Sequence, residues 1–255
     1  MRGFGVFLGK ELREIARTWR IWVLPGIVLF FAASGPPLAK VTPELLSSLV
    51  DTQGTGVVIQ LPDPTYVDAY LQWTKNLSQI VIFALIIMFA GAISAEKRGG
   101  TAILALTKPL SRPSFVLGKL ASHTVLLVVT TVVGAAVTWA LTLAVFGEAP
   151  LGPLAGATGV WLLHGMLFVA LMMLLSAALD SQAGAAGIGL GVYLLLSIAT
   201  IWKPAVTYSP AALVNAPTEL AMSEAVSLGW PIATTLALTV ALAVAAVAVF
   251  RKREL

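Results

Sequence analysis

Six long runs of apolar residues set what this chain can fold into. They lie at about 21–38, 77–95, 120–146, 154–179, 183–202 and 230–250. Each approaches or exceeds the roughly 20 residues that a helix needs to cross a bilayer. Inside a bilayer the backbone has no water to bond, so runs of this length must close their hydrogen bonds within themselves, as helices. Only 11% of the 255 residues are charged, against about a quarter in soluble domains. The sequence therefore predicts an all-α polytopic membrane protein with six transmembrane helices in a single domain, residues 1–255.

Proline and glycine give the expected boundaries. Pro25-Gly26 interrupts the first run, and Gly35-Pro36-Pro37 predicts its end. Only Asp180, Ser181 and Gln182 separate the fourth and fifth runs, which predicts a tight helical hairpin with Asp180 as a cap at its turn. Arg2 to Arg20, an apolar run and Ala32-Ala33-Ser34 have the outline of a cleavable leader, but the charged region is long and contains Glu11 and Glu14, which argues against one.

The basic residues orient the spans. With the N-terminus in the cytoplasm, the inner segments hold Arg2, Lys10, Arg13, Arg17 and Arg20, then Lys97, Arg98, Lys108, Arg112 and Lys119, then Arg251, Lys252 and Arg253. That is thirteen of the 16 lysines and arginines, with only Lys40, Lys75 and Lys203 outside or at an outer border. Glu44, Asp51, Asp63, Asp68, Glu148, Glu219 and Glu224 fall outside. The expected arrangement is a multi-pass protein of the cell membrane with both termini cytoplasmic. The net charge of +4 is thus a topology signal rather than a nucleic-acid footprint. The absence of cysteine excludes disulfides, thiolate metal sites and cysteine nucleophiles.

Two cytoplasmic stretches stand out. In residues 1–20, Phe4, Phe7, Leu8, Leu12, Ile15 and Trp19 recur at steps of three and four, while Lys10, Arg13, Glu14 and Arg17 take the other face. This predicts an amphipathic helix lying at the lipid interface. The second stretch is "AEKRGGTAILALTKPLSRPSFVLGK", residues 95–119. Gly99-Gly100 is costly in a helix, so the second span should break there. Thr101 can cap a short helix with Ile103, Leu104 and Leu106 as its apolar residues, ended by Lys108-Pro109. Ser111 or Ser114 can cap the helix that enters the third span. An inert basic loop and a docking element are both compatible with these residues alone.

The loop 96–119 resembles that of type-2 ABC exporter permeases, in which an acid, a basic residue, Gly-Thr, a short apolar helix and Pro-Leu-Ser-Arg precede the third span. The stretch "LGKELREIARTWR" resembles the N-terminal connecting helix of the same family. The doubled glycine departs from the family, where a single one is usual before the threonine. The resemblance implies that the short helix is a coupling helix seated in a groove on a separate ATPase subunit. It implies that Glu96, Arg98, Gly99 and Thr101 shape its start, that Ile103, Leu104 and Leu106 press into the ATPase, and that Pro109, Leu110, Ser111 and Arg112 set its exit. The helix carrying Phe7, Leu8, Leu12, Ile15 and Trp19 would brace the contact. The implied complex has two permease copies, identical or homologous, in a lipid membrane. ATP and Mg would sit on the partner ATPase, with no cofactor, metal or nucleic acid on this chain.

The absence of a phosphate-cradling G-x-x-x-x-G-K-[S/T] agrees with that division of labour: Leu120 follows Gly118-Lys119, and Pro113 stands where the first glycine would be. Gly187 and Gly191 form a G-x-x-x-G surface expected to pack within the chain. Of the outer segments, 40–76 reads as a loop whose middle, "GTGVVIQLPDP", holds a short extended piece. The segment 204–229 is too apolar for a solvated loop and too short to cross, and family resemblance implies a re-entrant helical hairpin. His164 lies in mid-span and is expected to be neutral and bonded to a neighbouring backbone. Two rival readings are an intramembrane enzyme, which needs catalytic partners for His164, and a membrane scaffold that transports nothing.

Overall fold

The computed structural model describes residues 3–52, 62–101, 107 and 110–253. Among them the regular structure is helical. Helix α1 (Phe4–Arg17) is followed by a long α2 (Arg20–Thr52), and then by α3 (Tyr66–Asn76), a π-helical turn (Leu77–Val81), α4 (Ile82–Phe89) and α5 (Ser94–Arg98). The rest comprises α6 (Arg112–Phe146), α7 (Leu151–Ala178), α8 (Gln182–Ala199), α9 (Lys203–Tyr208), α10 (Ala212–Ala221) and α11 (Gly229–Lys252). Among the described residues six helical segments are long and apolar enough to cross a membrane: Ile21–Leu45, Tyr66–Arg98, Arg112–Phe146, Leu151–Ala178, Gln182–Ala199 and Gly229–Lys252.

Two expected boundaries are corrected. The first span does not stop at Gly35-Pro36-Pro37: α2 continues with Pro25, Pro36, Pro37 and Pro43 inside it. A proline removes one backbone bond. Unwinding the chain beside lipid would strip several more, so a packed helix tolerates the proline. Helix α6 supplies the packing. Gly134 admits Val28, whose Cγ1 lies 2.6 Å from where a Cβ on the glycine would sit. About three turns on, Lys40 Nζ donates to the Val145 carbonyl at 3.2 Å.

The second span begins before Leu77. Helix α3 starts at a capping box in which the Thr65 N–H donates to Asp68 Oδ2 at 2.8 Å, and it buries Ala69, Tyr70, Trp73 and Thr74. Its other side is polar, which is why composition read this stretch as a loop. Of the expected extended piece, residues 54–61 lie outside the described residues.

The second span and α7 form the centre of the bundle, with Trp73, Phe89, Trp161 and Phe168 in one core cluster. They run parallel. Trp73 Nε1 donates to Thr158 Oγ1 at 3.1 Å, and further along the Ile93 and Ser94 N–H groups donate to Ser176 Oγ at 2.9 and 3.0 Å. Between these two ties the second span is two residues longer than α7. The π turn and the break at Ala90–Ile93 absorb the surplus, since a π turn takes an extra residue into one helical turn. The Ser176 hydroxyl then accepts from the two amides nearest the break.

Helices α8 and α11 lie outside this centre and expose Ile188, Leu194, Leu195, Val240 and Val244, as lipid-facing helices do. Residues 203–221 form a two-helix hairpin, α9 and α10. Helix α10 buries Ala212, Leu213, Ala216, Pro217 and Ala221 and packs against α7 and α3.

Candidate functional site

The charged end of the bundle, where α1, α5 and the start of α6 meet, is built from apolar packing around a buried ion network. Helix α1 turns Phe7, Glu11 and Ile15 inward, one turn apart, and all three are buried. Phe7 lies against Phe115 of α6 with ring centroids 5.2 Å apart, and Phe115 stacks on Phe250 of α11 at 5.2 Å and 10°. Gly118 permits this approach, because a Cβ there would come within 2.6 Å of the Phe7 ring.

Glu11 is the unexpected member. Its carboxylate accepts from Lys119 Nζ at 2.9 Å, and Lys119 also donates to Glu96 of α5. Lys119 is 0% exposed and Glu11 1%. A buried charge left unpaired is very costly, so both need their partners. Lys10 continues the network, pairing with Glu11 at 3.0 Å and with Glu14. Burial by itself would raise the Glu11 carboxyl, but Lys119, and then Lys10, outweigh it and hold the group below its ordinary value. Burial likewise pulls Lys10 down, and its bonds to Glu14 and Glu11 more than reverse this, leaving it above the usual lysine value. Glu11, Glu14 and Glu96 bring a carboxylate oxygen each within 4.8 Å of one another. The two ammonium groups already bridge these acids, which makes the cluster an ion network rather than an open ligand set.

A second, exposed set of contacts flanks it. Lys97 Nζ lies 2.8 Å from Asp180 Oδ1, Arg98 Nη1 donates to the Asp180 carbonyl at 2.7 Å, and Arg253 Nη1 lies 3.4 Å from Asp180 Oδ2. The Lys97 hydrogen bond and charge, with a smaller push from Arg253, hold the Asp180 carboxyl below its ordinary value. Asp180 is therefore a strap between the second span and the α7–α8 turn. It is not the expected cap: Ser181 caps α8 by accepting from the Gly184 N–H at 3.1 Å.

The sequence-predicted residues fall as follows. Phe7 and Ile15 are buried, Leu8 and Leu12 are half-buried, and Trp19 is 57% exposed. Glu96 joins the ion network and Arg98 the strap. Gly99 caps the end of α5, and Gly100 takes a φ of +71° that favours glycine. Thr101 Oγ1 donates to the Glu96 carbonyl at 3.2 Å. Leu110 packs on the Phe7–Phe115–Phe250 cluster. Ser111 caps α6 by accepting from the Ser114 N–H at 3.2 Å. Arg112 Nη1 donates to the carbonyls of Arg251 and Arg253 at 2.8 and 2.9 Å. Ile103, Leu104, Leu106 and Pro109 lie outside the described residues. Sequence reasoning missed Glu11 and Lys119 as partners. The available signal was a carboxylate at the inward i+4 position between Phe7 and Ile15.

His164 also departs from expectation. It is 1% exposed, and neither ring nitrogen has a hydrogen-bond partner among the described residues. Within α8, Gly189 is the residue that packs inside the chain, with a Cβ there 2.6 Å from Met172 Sδ. Among the described residues nothing lies within 4 Å of a Cβ at Gly187 or Gly191, so there the G-x-x-x-G pair does not mediate the expected intrachain contact.

A six-span helical bundle with an amphipathic helix pinned across its charged end is the architecture of a polytopic membrane protein. The model of the ABC-2 family of transporter proteins matches residues 6–255, and the chain belongs to that family. It is 35% identical over 116 residues to a protein of Pseudomonas aeruginosa named a probable ABC transporter permease protein NosY, a match covering 44% of this chain and 42% of that protein. A protein of Stutzerimonas stutzeri with the same name is 34% identical over 119 residues, covering 45% and 42%. The chain thus matches less than half the length of these curated relatives.

Proposed function

We propose that this chain is the permease subunit of an ATP-driven ABC exporter. It couples ATP hydrolysis by a separate ATPase subunit to movement of substrate out across the membrane. Family membership and the permease names of the relatives support the broad reading. The observation that carries the coupling role is the Glu11–Lys119–Glu96 network, which joins α1, the stem of the 96–119 loop and the third span into one body. A push on the loop then reaches the spans through paired charges and packed rings rather than through a slack connection. In this reading Ile103, Leu104 and Leu106 seat the loop on the ATPase, which binds ATP and Mg, and a second permease, identical or homologous, completes the pathway. The charge asymmetry supports a cell-membrane topology with both termini on the ATPase side.

The test is gentle purification of the tagged chain from its own membranes, with mass spectrometry of what accompanies it. A stoichiometric ATPase is expected with the native chain and is lost in Leu104→Asp, while membrane insertion is unchanged. A chain recovered alone, under conditions that hold an established ABC complex together, would overturn the reading.

A further inference from the structure

The middle of the bundle holds a second buried polar cluster, which the coupling role does not use. Four side-chain atoms there have no hydrogen-bond partner among the described residues: Nδ1 and Nε2 of His164, Nε1 of Trp161 and Oγ of Ser78. They come to one level of the fold. Ser78 lies in the π turn, which begins four residues beyond Trp73, while Trp161 and His164 follow Thr158, the partner of Trp73, on the parallel α7. Tyr193 closes the group from α8. Its hydroxyl donates to the Ser78 carbonyl, and its ring lies 6.3 Å from that of His164.

The Ser78 carbonyl that accepts from Tyr193 lies within the π turn. Widening a helix by one residue breaks the regular i to i−4 ladder, and such turns recur where a helix does something besides span. Aromatic rings flank the cluster: Phe168 lies 5.1 Å from His164 and 5.9 Å from Tyr193.

We propose that this level is a binding site for a small, uncharged hydrogen-bonding guest, and that resident water fills it. The guest is neutral, because no charged side chain is among the groups that meet there. It must both donate and accept. Trp161 Nε1 only donates, a neutral imidazole presents one donor and one acceptor, and the Ser78 hydroxyl does either. A water molecule needs two to four polar partners, and this cluster offers that number from two spans. Dry apolar cavities lack such partners, which separates this level from the Leu- and Ile-lined core around it.

X-ray hydroxyl-radical footprinting of the native chain in lipid nanodiscs tests the site, since radicals generated from a bound water label the side chains beside it. Trp73 is the internal control, being 1% exposed against 0% for Trp161, with its Nε1 already bonded to Thr158. The expected result is labelling of Trp161 several-fold faster than Trp73. In His164→Leu the excess is expected to fall, and in His164→Gln, which keeps a donor and an acceptor, to persist. Equal slow labelling of Trp161 and Trp73 in the native chain overturns the proposal whether or not the variants fold.

Discussion

The two buried polar clusters answer the same problem in opposite ways. At the charged end the two buried ions have their counter-ions: Lys119 sits between Glu11 and Glu96, and Glu11 also meets the exposed Lys10, which reaches on to Glu14. At mid-bundle, four neutral polar atoms have no hydrogen-bond partner among the described residues. Charge explains the difference. An unpaired buried ion loses several kcal/mol of hydration, on the order of what a whole domain can spare. An unmatched neutral group costs about 1–3 kcal/mol, which a guest can offset. The closed cluster therefore specifies one geometry and suits a joint that must transmit force. The unsatisfied one suits a place where a small neutral guest completes the hydrogen bonds.

The strongest way to break that contrast is Lys119→Met. It leaves the buried Glu11 carboxylate facing the partly buried Glu96 with no cation between them, so destabilisation of about 3–5 kcal/mol is expected. Chemical unfolding in detergent micelles reads it. Adding Glu11→Gln and Glu96→Gln should restore most of the loss, since a neutral set needs no counter-ion. Failure of that rescue would mean that the Lys119 ammonium also matters through its contact with the Phe115 ring, whose centroid lies 5.3 Å from Nζ.

Much of this architecture was legible because a bilayer imposes a length. Six apolar runs had to become six spans, and the break at Gly99-Gly100 followed from backbone chemistry. What failed were rules learned from water. Pro36-Pro37 ends a solvated helix but sits inside α2, where Val28 and Gly134 hold the neighbouring turns together. Helix α3 looked like a loop because only one face is apolar. In the site, the sequence pointed to the loop and the amphipathic helix but not to the bond between them. Glu11 reads as one more surface charge until Lys119, 108 residues away, is placed beside it. His164 and Asp180 were read by their most frequent roles, but His164 has no backbone partner among the described residues, and Asp180 straps Lys97 and Arg253 while Ser181 makes the cap.

A smaller perturbation tests whether the joint needs its packing as well as its charges. Gly118→Ala would drive a Cβ to 2.6 Å from the Phe7 ring, and that ring is already packed against Phe115, one turn away on the same helix. Overpacking of this kind costs about 1–3 kcal/mol. Hydrogen exchange should show α1 protection falling before that of α6. Gly187→Ala is the paired control: it meets nothing within 4 Å, so its stability should be unchanged or raised by up to about 1 kcal/mol through helix propensity.

The mildest test separates the buried network from the exposed strap by acid and salt. Glu11 and Asp180 both have carboxyls held below their ordinary values of 4.5 and 3.8. The stabilisation from each is therefore present above those values and is lost as pH falls through the lower folded ones. Salt divides them. Asp180 has a side chain 61% exposed, so its attraction to Lys97 and Arg253 is screened, and Asp180→Asn should lower the unfolding temperature slightly in dilute buffer and not at all in 1 M salt. Glu11 meets Lys119 away from solvent, so acid release of α1, read by hydrogen exchange along 4–17, should begin at the same pH in both buffers. If salt moved the onset for α1, the network would be open to water, and a joint open to water could not hold the loop to the spans.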